Sequence, residues 1–392
     1  MKALAVLQRI PRQVWFLGFV SFFNDIASEM LYPIMPIFLT QVLGTPVAVV
    51  GLIEGCAEGL ASVLKGVFGR LSDRMGTRKS FVVAGYAFSA VSKVIIAIST
   101  VWGMVFAGRL VDRFGKGLRT GARDAMLHDA STPQNRGLIF GLHRTLDSSG
   151  AVVGPLLGLL FLHFSGNIRL ILVVAILPAL LSLPLFFAVK NVKIEPQPRK
   201  PLFVFSLKGF STRFRLFLLA LAIFSLGNSA DAFLILRAQS LGMSLTLVIL
   251  AYALYNFCYA ALSTPAGYVS DTLGPKRVMM SGIVIYALVY LGFAFNTQSY
   301  YVWGLFAVYG AYIAFTDGVS KAFAAECIDK SEAATAFGTM QMITGVMALL
   351  ASLIGGWLWT AFSPQATFLF AAACAGISLF FFAIVPIASE KK

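Results

Sequence analysis

Runs of about 20 predominantly apolar residues recur along almost the whole of this 392-residue chain, with only short polar breaks between them. A helix of that length crosses the ~30 Å hydrocarbon layer of a bilayer. Inside lipid the backbone must satisfy its own hydrogen bonds, so such runs fold as helices. With 58% hydrophobic and 12% charged residues, the chain has no stretch left for a separate soluble domain.

The apolar runs fall roughly at 13–42, 48–71, 80–99, 101–126, 138–163, 168–190, 214–240, 243–268, 277–296, 299–324, 334–361 and 365–388. The pattern predicts an all-α polytopic membrane protein with twelve transmembrane helices. The basic start, Met1 to Arg12, precedes a long apolar segment with no small-residue cleavage site, so a retained first helix is expected rather than a removed signal peptide.

The formal net charge is +14. Much of it sits in the short breaks, where it sets orientation. Breaks after even-numbered spans carry Arg74, Arg78 and Lys79, then Arg123 and Arg136, then Lys276 and Arg277, whereas Leu43 to Ala48 and Asn296 to Tyr300 carry almost none. Both termini are therefore expected in the cytoplasm of a bacterial-type cell, with the protein in its inner membrane. With no soluble basic module, nucleic acid is not an expected partner. Cys56, Cys258, Cys327 and Cys374 stand singly without CxxC spacing, and read as small packing residues. His128, His143 and His163 are scattered, so no metal is expected.

The longest polar stretch contains Pro196, Pro198 and Pro201 among Lys and Arg residues. It predicts an N-terminal six-helix bundle over 1–190, a cytoplasmic linker over 191–213 and a C-terminal six-helix bundle over 214–392. The halves repeat in detail. Gly69-Arg-Leu-Ser-Asp73-Arg74-Met-Gly76-Thr-Arg78-Lys79 follows span two, and Gly267-Tyr-Val-Ser-Asp271-Thr-Leu-Gly274-Pro-Lys276-Arg277 follows span eight. A duplication relating the bundles by a pseudo-twofold axis accounts for both. Gly69 permits close helix contact, Asp73 at a helix end can pair with a neighbouring basic residue, and Gly76 makes the tight turn. A merely anchoring basic loop would explain Arg74, Arg78 and Lys79 but not the second copy.

Ionisable residues inside a span cost about 2.5 to 3.5 kcal/mol each, so they mark a cavity or a paired interior site. They concentrate in the first half: Asp25 and Glu29 in span one, Glu54, Glu58 and Lys65 in span two, and Arg109, Asp112, Arg113, Lys116, Arg119 and Arg123 in span four. The second half has chiefly Asp231, Arg237, Asp317 and Lys321. Asp25 and Glu29, like Glu54 and Glu58, are four residues apart and share a helix face, and Arg109, Arg113 and Lys116 form a stripe. Asn228 and Asp231 in span seven sit in a place like that of Asn24 and Asp25. Either aspartate can bind a proton or cation, or hydrogen-bond its neighbours. Tyr252, Tyr255, Asn256, Tyr259, Tyr309 and Tyr312 can line a cavity for an organic solute or serve packing and interface anchoring.

Three of these motifs resemble those of the major facilitator superfamily. The loop G-x-L-x-D-R-x-G-x-R-K after span two is similar to its signature loop, and Gly69, Asp73, Arg74, Gly76, Arg78, Gly267, Asp271 and Gly274 would then latch one conformational state. Arg113-Phe-Gly-Lys116-Gly117 resembles the R-x-x-Q-G motif of proton-coupled members, with Lys116 in place of glutamine. Gly150-Ala-Val-Val-Gly154-Pro155-Leu-Leu-Gly158 resembles the G-x-x-x-G-P-x-x-G motif of antiporters, a segment suited to bending or sealing through Pro155.

The resemblance implies a monomeric secondary transporter embedded in lipid, moving a small organic or anionic solute by alternating access. Its energy would come from a proton gradient rather than a bound cofactor, and it would have no enzymatic activity. Proton-coupled efflux is one expectation, with binding or coupling at Asp25, Glu29, Glu54, Glu58, Arg109, Arg113, Lys116, Asn228, Asp231, Tyr255 and Asn256. Import of an anionic nutrient or siderophore-like compound by symport or uniport is the other, suggested by the basic span four. A membrane scaffold or sensor that has lost transport is a third reading, disfavoured by the retained buried charges.

Overall fold

A computed structural model describes residues 10–131, 136–189, 210–328 and 333–386. Among these residues the chain is entirely helical and makes twelve membrane-length passes. α1 runs Arg12–Leu31 and continues through Met35–Ile37 and a π-helical turn at Phe38–Val42; α2 is Val47–Met75, α3 Arg78–Ala97 and α4 Trp102–Asp129. α5 spans Arg136–Ser165, and α6 is built of three pieces, Ile168–Val174, Ile176–Ser182 and Pro184–Ala188. In the second half α7 comprises Thr212–Gly227 and Ala232–Ser240. It is followed by α8 Leu245–Leu273, α9 Pro275–Phe295, α10 Tyr301–Glu326, α11 Ala333–Ala361 and α12 Pro364–Ile384. The interval 191–213 assigned to a linker lies mostly outside the described residues.

Local chemistry starts and stops these helices. The side chains of Asn167, Ser211, Ser244 and Ser363 accept from the first-turn amides of Arg169, Phe214, Leu247 and Ala366, satisfying donors that have no partner within the helix. Pro275 and Pro364 occupy first-turn positions, where a missing N–H costs nothing. Gly76 and Gly274 hold the left-handed turns after α2 and α8, at φ 62° and 86°, and Gly44 and Gly242 do so after α1 and α7. Both pairs are 198 positions apart (44 to 242, 76 to 274), which gives the sequence repeat a backbone counterpart.

Eleven of the passes are apolar enough to cross a membrane by hydropathy; α4 is the exception. Its charges make it the least apolar pass, yet Arg109, Asp112, Arg113 and Arg119 are all buried. The outer surface carries the opposite chemistry: Phe164, Phe187, Leu288, Phe295 and Phe380 are exposed, as expected where lipid takes the place of water.

The chain forms two compact units, one of residues 1–35 and 63–202, the other of 36–62 and 203–392. In the first, α1 packs on α5 and α3 on α4. Gly85 and Gly115 face one another there: an ideal Cβ on either would come within 2.6 Å of the other helix's backbone or side chains. In the second, α8 and α9 pack on α10, and α12 on α7 and α9. The first half of α2 also belongs to this unit, where an ideal Cβ at Gly51 would overlap the Ser352 carbonyl of α11, so two small-residue faces meet without side chains between them.

Two proline effects differ. α5 continues as a helix through Pro155, and α8 through Pro265. α1, in contrast, is interrupted at residues 32–34, around Pro33, and α7 at Asn228–Asp231. The 198-residue offset aligns these two interruptions and places Asp231 opposite Pro33 rather than opposite Asp25.

Candidate functional site

In the first unit the charges of α4 form a polar column with residues of α1, α3 and α5. From Arg109 to Arg123 the helix rises by about 21 Å, some two-thirds of the hydrocarbon thickness. At one end Lys93 Nζ of α3 lies 2.6 Å from Asp112 Oδ1 and 3.0 Å from Ser28 Oγ of α1. The lysine and the aspartate are almost fully buried, 2% and 5% exposed. Ser89 and Ser92 also donate to Asp112 Oδ1, at 2.9 and 3.3 Å. Three donors thus converge on one buried carboxylate oxygen, compensation that a charge in a low-dielectric interior requires. A small cavity beside this pair is lined by Ser28, Tyr32, Lys93, Arg109 and Asp112 together with the apolar Leu31, Met35 and Ile96, with the Arg109 guanidinium 5.7 Å from the centre of the Tyr32 ring.

Ser89 also accepts from Arg119, linking this layer to the next. The Arg119 guanidinium lies over the Tyr86 ring, 4.4 Å from its centre. Beyond it, Ser21 Oγ is a junction: Tyr86 Oη is 2.8 Å away, His143 Nε2 3.0 Å, and Arg123 Nη1 donates to it at 3.2 Å. Arg123 also pairs with Asp124 at 3.0 Å and stands 3.8 Å from Asp147. Asp147 lies within hydrogen-bonding reach of Asp25.

In the second unit Asp231 stands at the break in α7. Tyr309 Oη donates to its Oδ1 at 2.6 Å and Tyr255 Oη to its Oδ2 at 3.3 Å. Tyr252, Tyr286, Tyr290 and Tyr312 extend this buried aromatic cluster, with successive ring centres 4.0–6.3 Å apart. Tyr286 Oη donates to Gly227 O at 2.9 Å, joining the Ser229 N–H, which donates to the same carbonyl at 2.9 Å where the helix breaks. Glu54, 3% exposed, and Glu58 belong to this unit and contribute negative potential at Asp231.

The residues singled out in the sequence are thus distributed over two clusters. Asp25, Glu29, Arg109, Arg113 and Lys116 lie in the first unit; Glu54, Glu58, Asn228, Asp231, Tyr255 and Asn256 lie in the second. Asn256 Nδ2 donates to Tyr252 O of its own helix. Lys93 and Asp147 escaped the sequence reading as site members, and so did Tyr286 and Tyr290. Lys93 had a usable signal, being a lone lysine within an apolar span.

Around the repeated loops, Arg78 pairs with Asp129 and donates to Ala125 O at 3.3 Å, tying the start of α3 to the end of α4. An ideal Cβ at Gly121 would sit 2.8 Å from Gly69 Cα, so close contact of α2 with α4 depends on Gly121 as well as Gly69. At Gly267 nothing lies within 4 Å of the corresponding position. The side chains of Asp73, Arg74 and Asp271 lie outside the described residues. Gly150 and Gly154 pack on α1 near Asp25 and Glu29, and Gly158 near Met30.

Twelve helical passes, an internal repeat and charge buried in the bilayer-spanning interior define a polytopic membrane transporter. The family model of the Major Facilitator Superfamily matches residues 17–236 and 216–392. An uncharacterized MFS-type transporter of Methanocaldococcus jannaschii is 38% identical over 383 residues, covering 95% of this chain and 94% of that protein. The chain belongs to the major facilitator superfamily, whose members are transporters and not enzymes. A multidrug resistance protein of Photorhabdus laumondii is 28% identical over 151 residues, 38% of this chain and 37% of its own. Among solved structures, a nucleoside transporter superposes with a TM-score of 0.79 at 16% identity, covering 95% of this chain and 99% of that one, a likeness of fold.

Proposed function

We propose that the chain is a proton-coupled secondary transporter of the inner membrane, with both termini cytoplasmic, acting as a monomer to export a small organic or anionic solute by alternating access. The observation that carries this reading is the buried column of α4, in which Lys93, Asp112, Arg119, Asp25, Asp147 and Arg123 form consecutive layers of charge. Burying so many ionisable groups is costly, and proton relays and solute pathways are where membrane proteins keep them. A membrane potential supplies about 2.3 kcal/mol per charge per 100 mV, enough to drive solute against a gradient.

Asp25 and Glu29 are the proton carriers in this reading, with Arg109, Arg113 and Lys116 acting on them or on solute. Asp231, held by Tyr255 and Tyr309, offers the second unit's contact to solute or proton, alongside Glu54, Glu58, Asn228 and Asn256. Gly69, Asp73, Arg74, Gly76 and Arg78, with Gly267, Asp271 and Gly274, latch one state, while Gly150, Gly154, Pro155 and Gly158 form the seal on α1. The partial likeness to a multidrug resistance protein supports export.

Import of an anion is the second reading, favoured by one feature: Lys93, Arg113 and Arg119 all act on the single carboxylate of Asp112, beside a cavity that Arg109 also lines. Proteoliposomes with an imposed pH gradient, challenged with a panel of cationic drugs, organic anions and phosphorylated solutes, separate the two. Export by antiport predicts solute moving opposite to protons and loss of that flux in Arg113→Ala and Glu54→Gln. Solute and proton moving together would reject antiport, and unchanged flux in both variants would reject the site.

A further inference from the structure

The contact between α1 and α5 is tighter than side chains would allow. An ideal Cβ at Gly150 would lie 2.6 Å from Phe22 O and 3.0 Å from Asp25 Cβ, and one at Gly154 would lie 2.8 Å from Ile26 O and 3.0 Å from Glu29 Cβ. Asp147 precedes Gly150 by three residues and so shares its helix face. That spacing delivers the Asp147 carboxyl to the Asp25 carboxyl, within hydrogen-bonding reach, although 122 residues separate them in the chain.

An ionised carboxylate only accepts hydrogen bonds, so a bond between two carboxyl groups contains a proton. We propose that Asp25 and Asp147 are a carboxylic acid and carboxylate sharing one proton between α1 and α5, and that this is the proton exchanged during transport. The inference rests on the proton-coupled reading for its purpose, while the pair itself rests on the α1–α5 geometry.

The surrounding charges suit one shared proton. On α4, Arg119 acts on Asp25, and Arg123 Nη1 stands 3.8 Å from Asp147 Oδ1; on α5, Arg144 Nη1 stands 3.7 Å from Asp147 Oδ2 and His143 lies one turn away. Both arginine distances exceed hydrogen-bond range, so these cations balance charge without displacing the acid–carboxylate bond. Glu29 is the remaining acid on α1. On α3, Lys93 is engaged by Asp112 and Ser28, and Tyr86 by Ser21. Of the three pieces of α6, only the first has a titratable group, Arg169, which donates to Ser99 O.

When the shared O–H bond breaks, the proton passes to water at Asp147, whose side chain is 19% exposed. The pair's charge then goes from −1 to −2. Two facing carboxylates repel, and Arg119 and Arg123 are placed to take one each. Proton loss would therefore loosen the α1–α5 contact at its Gly150 end, coupling protonation to helix packing.

Infrared difference spectroscopy of the full-length protein in lipid nanodiscs, without added solute, tests the pair directly. The wild type is expected to show a protonated-carboxyl C=O band at neutral pH. The band should be lost in Asp25→Asn and again in Asp147→Asn, but kept in Asp317→Asn. No such band in the wild type, or one that persists in either Asp25→Asn or Asp147→Asn, would overturn the shared proton. The coupling role is read separately, from the proton-driven flux of the same two variants in proteoliposomes. Loss of flux supports it, and intact flux with the band removed would overturn it while leaving the pair established.

Discussion

Lys93 and Asp112 show what residue-scale chemistry asks of a membrane interior. Each is nearly inaccessible, and each neutralises the other at 2.6 Å with serine hydroxyls completing the shell. Removing one partner strands a buried charge, a change that typically costs about 3 to 5 kcal/mol. Lys93→Met or Asp112→Asn alone should therefore lower the thermal midpoint of the purified protein markedly, whereas the double variant should recover most of the loss. Midpoints that fall additively would contradict the pairing.

Cys327 offers a contrast outside the bilayer-spanning segments. Burial pushes its thiol up to about 11, so thiolate is scarce at neutral pH and forms only as the pH approaches that value. Maleimide labelling of Cys327 in the folded protein should be slow at neutral pH and accelerate with rising pH. Rapid neutral labelling would show the site to be open.

The stripe of Arg109, Arg113 and Lys116 was legible in the sequence because helical spacing fixes which residues share a face. Their counterparts were not. Asp112 finds Lys93 on the preceding helix, and Asp25 finds Asp147 four helices on; no local period reports which helices touch. Glu54 and Glu58 share a face of their helix just as Asp25 and Glu29 do, yet they fall in the unit that contains Asp231, a consequence of how the first half of α2 packs on α11.

At the scale of elements, the glycine motif of α5 decides how near α1 can come. Gly150→Leu and Gly154→Leu should each reduce folded, monodisperse protein severely, because their side chains would collide with the carbonyls of Phe22 and Ile26. Gly158→Ala should be much milder, since its Cβ would meet Met30 O at 3.3 Å. Size-exclusion profiles and thermal midpoints rank the three, and equal tolerance would contradict the close α1–α5 contact.

Element identity was readable from hydropathy almost throughout, and the expected span ends lie close to the helix ends. The interruptions were harder. Pro155 and Pro265 lie within continuous helices, while α7 breaks at Asn228–Asp231 without any proline. There the Gly227 carbonyl takes a bond from the nearby Ser229 N–H and a second from Tyr286 of another helix, and that second bond is an effect of tertiary structure that no local pattern encodes.

At the scale of the molecule, charge bias between the loops predicts that both chain ends face the cytoplasm. Fluorescent-protein fusions at either end should fluoresce, and alkaline phosphatase fusions at either end should be inactive. An active phosphatase at one terminus would refute the orientation. The duplication was visible as two copies of one loop motif, and the structure adds left-handed glycines at a common 198-residue spacing together with matched interruptions in α1 and α7.

In the proposed function, the buried charges of the first unit couple proton movement to solute movement. This coupling is tested most directly by following lumenal pH with a trapped dye in proteoliposomes while a solute from the panel that the protein moves is added outside. Proton movement opposite to that solute is expected in the wild type, and its abolition in Asp25→Asn. Solute transport with no accompanying pH change, or the same proton movement in Asp25→Asn as in the wild type, would contradict it.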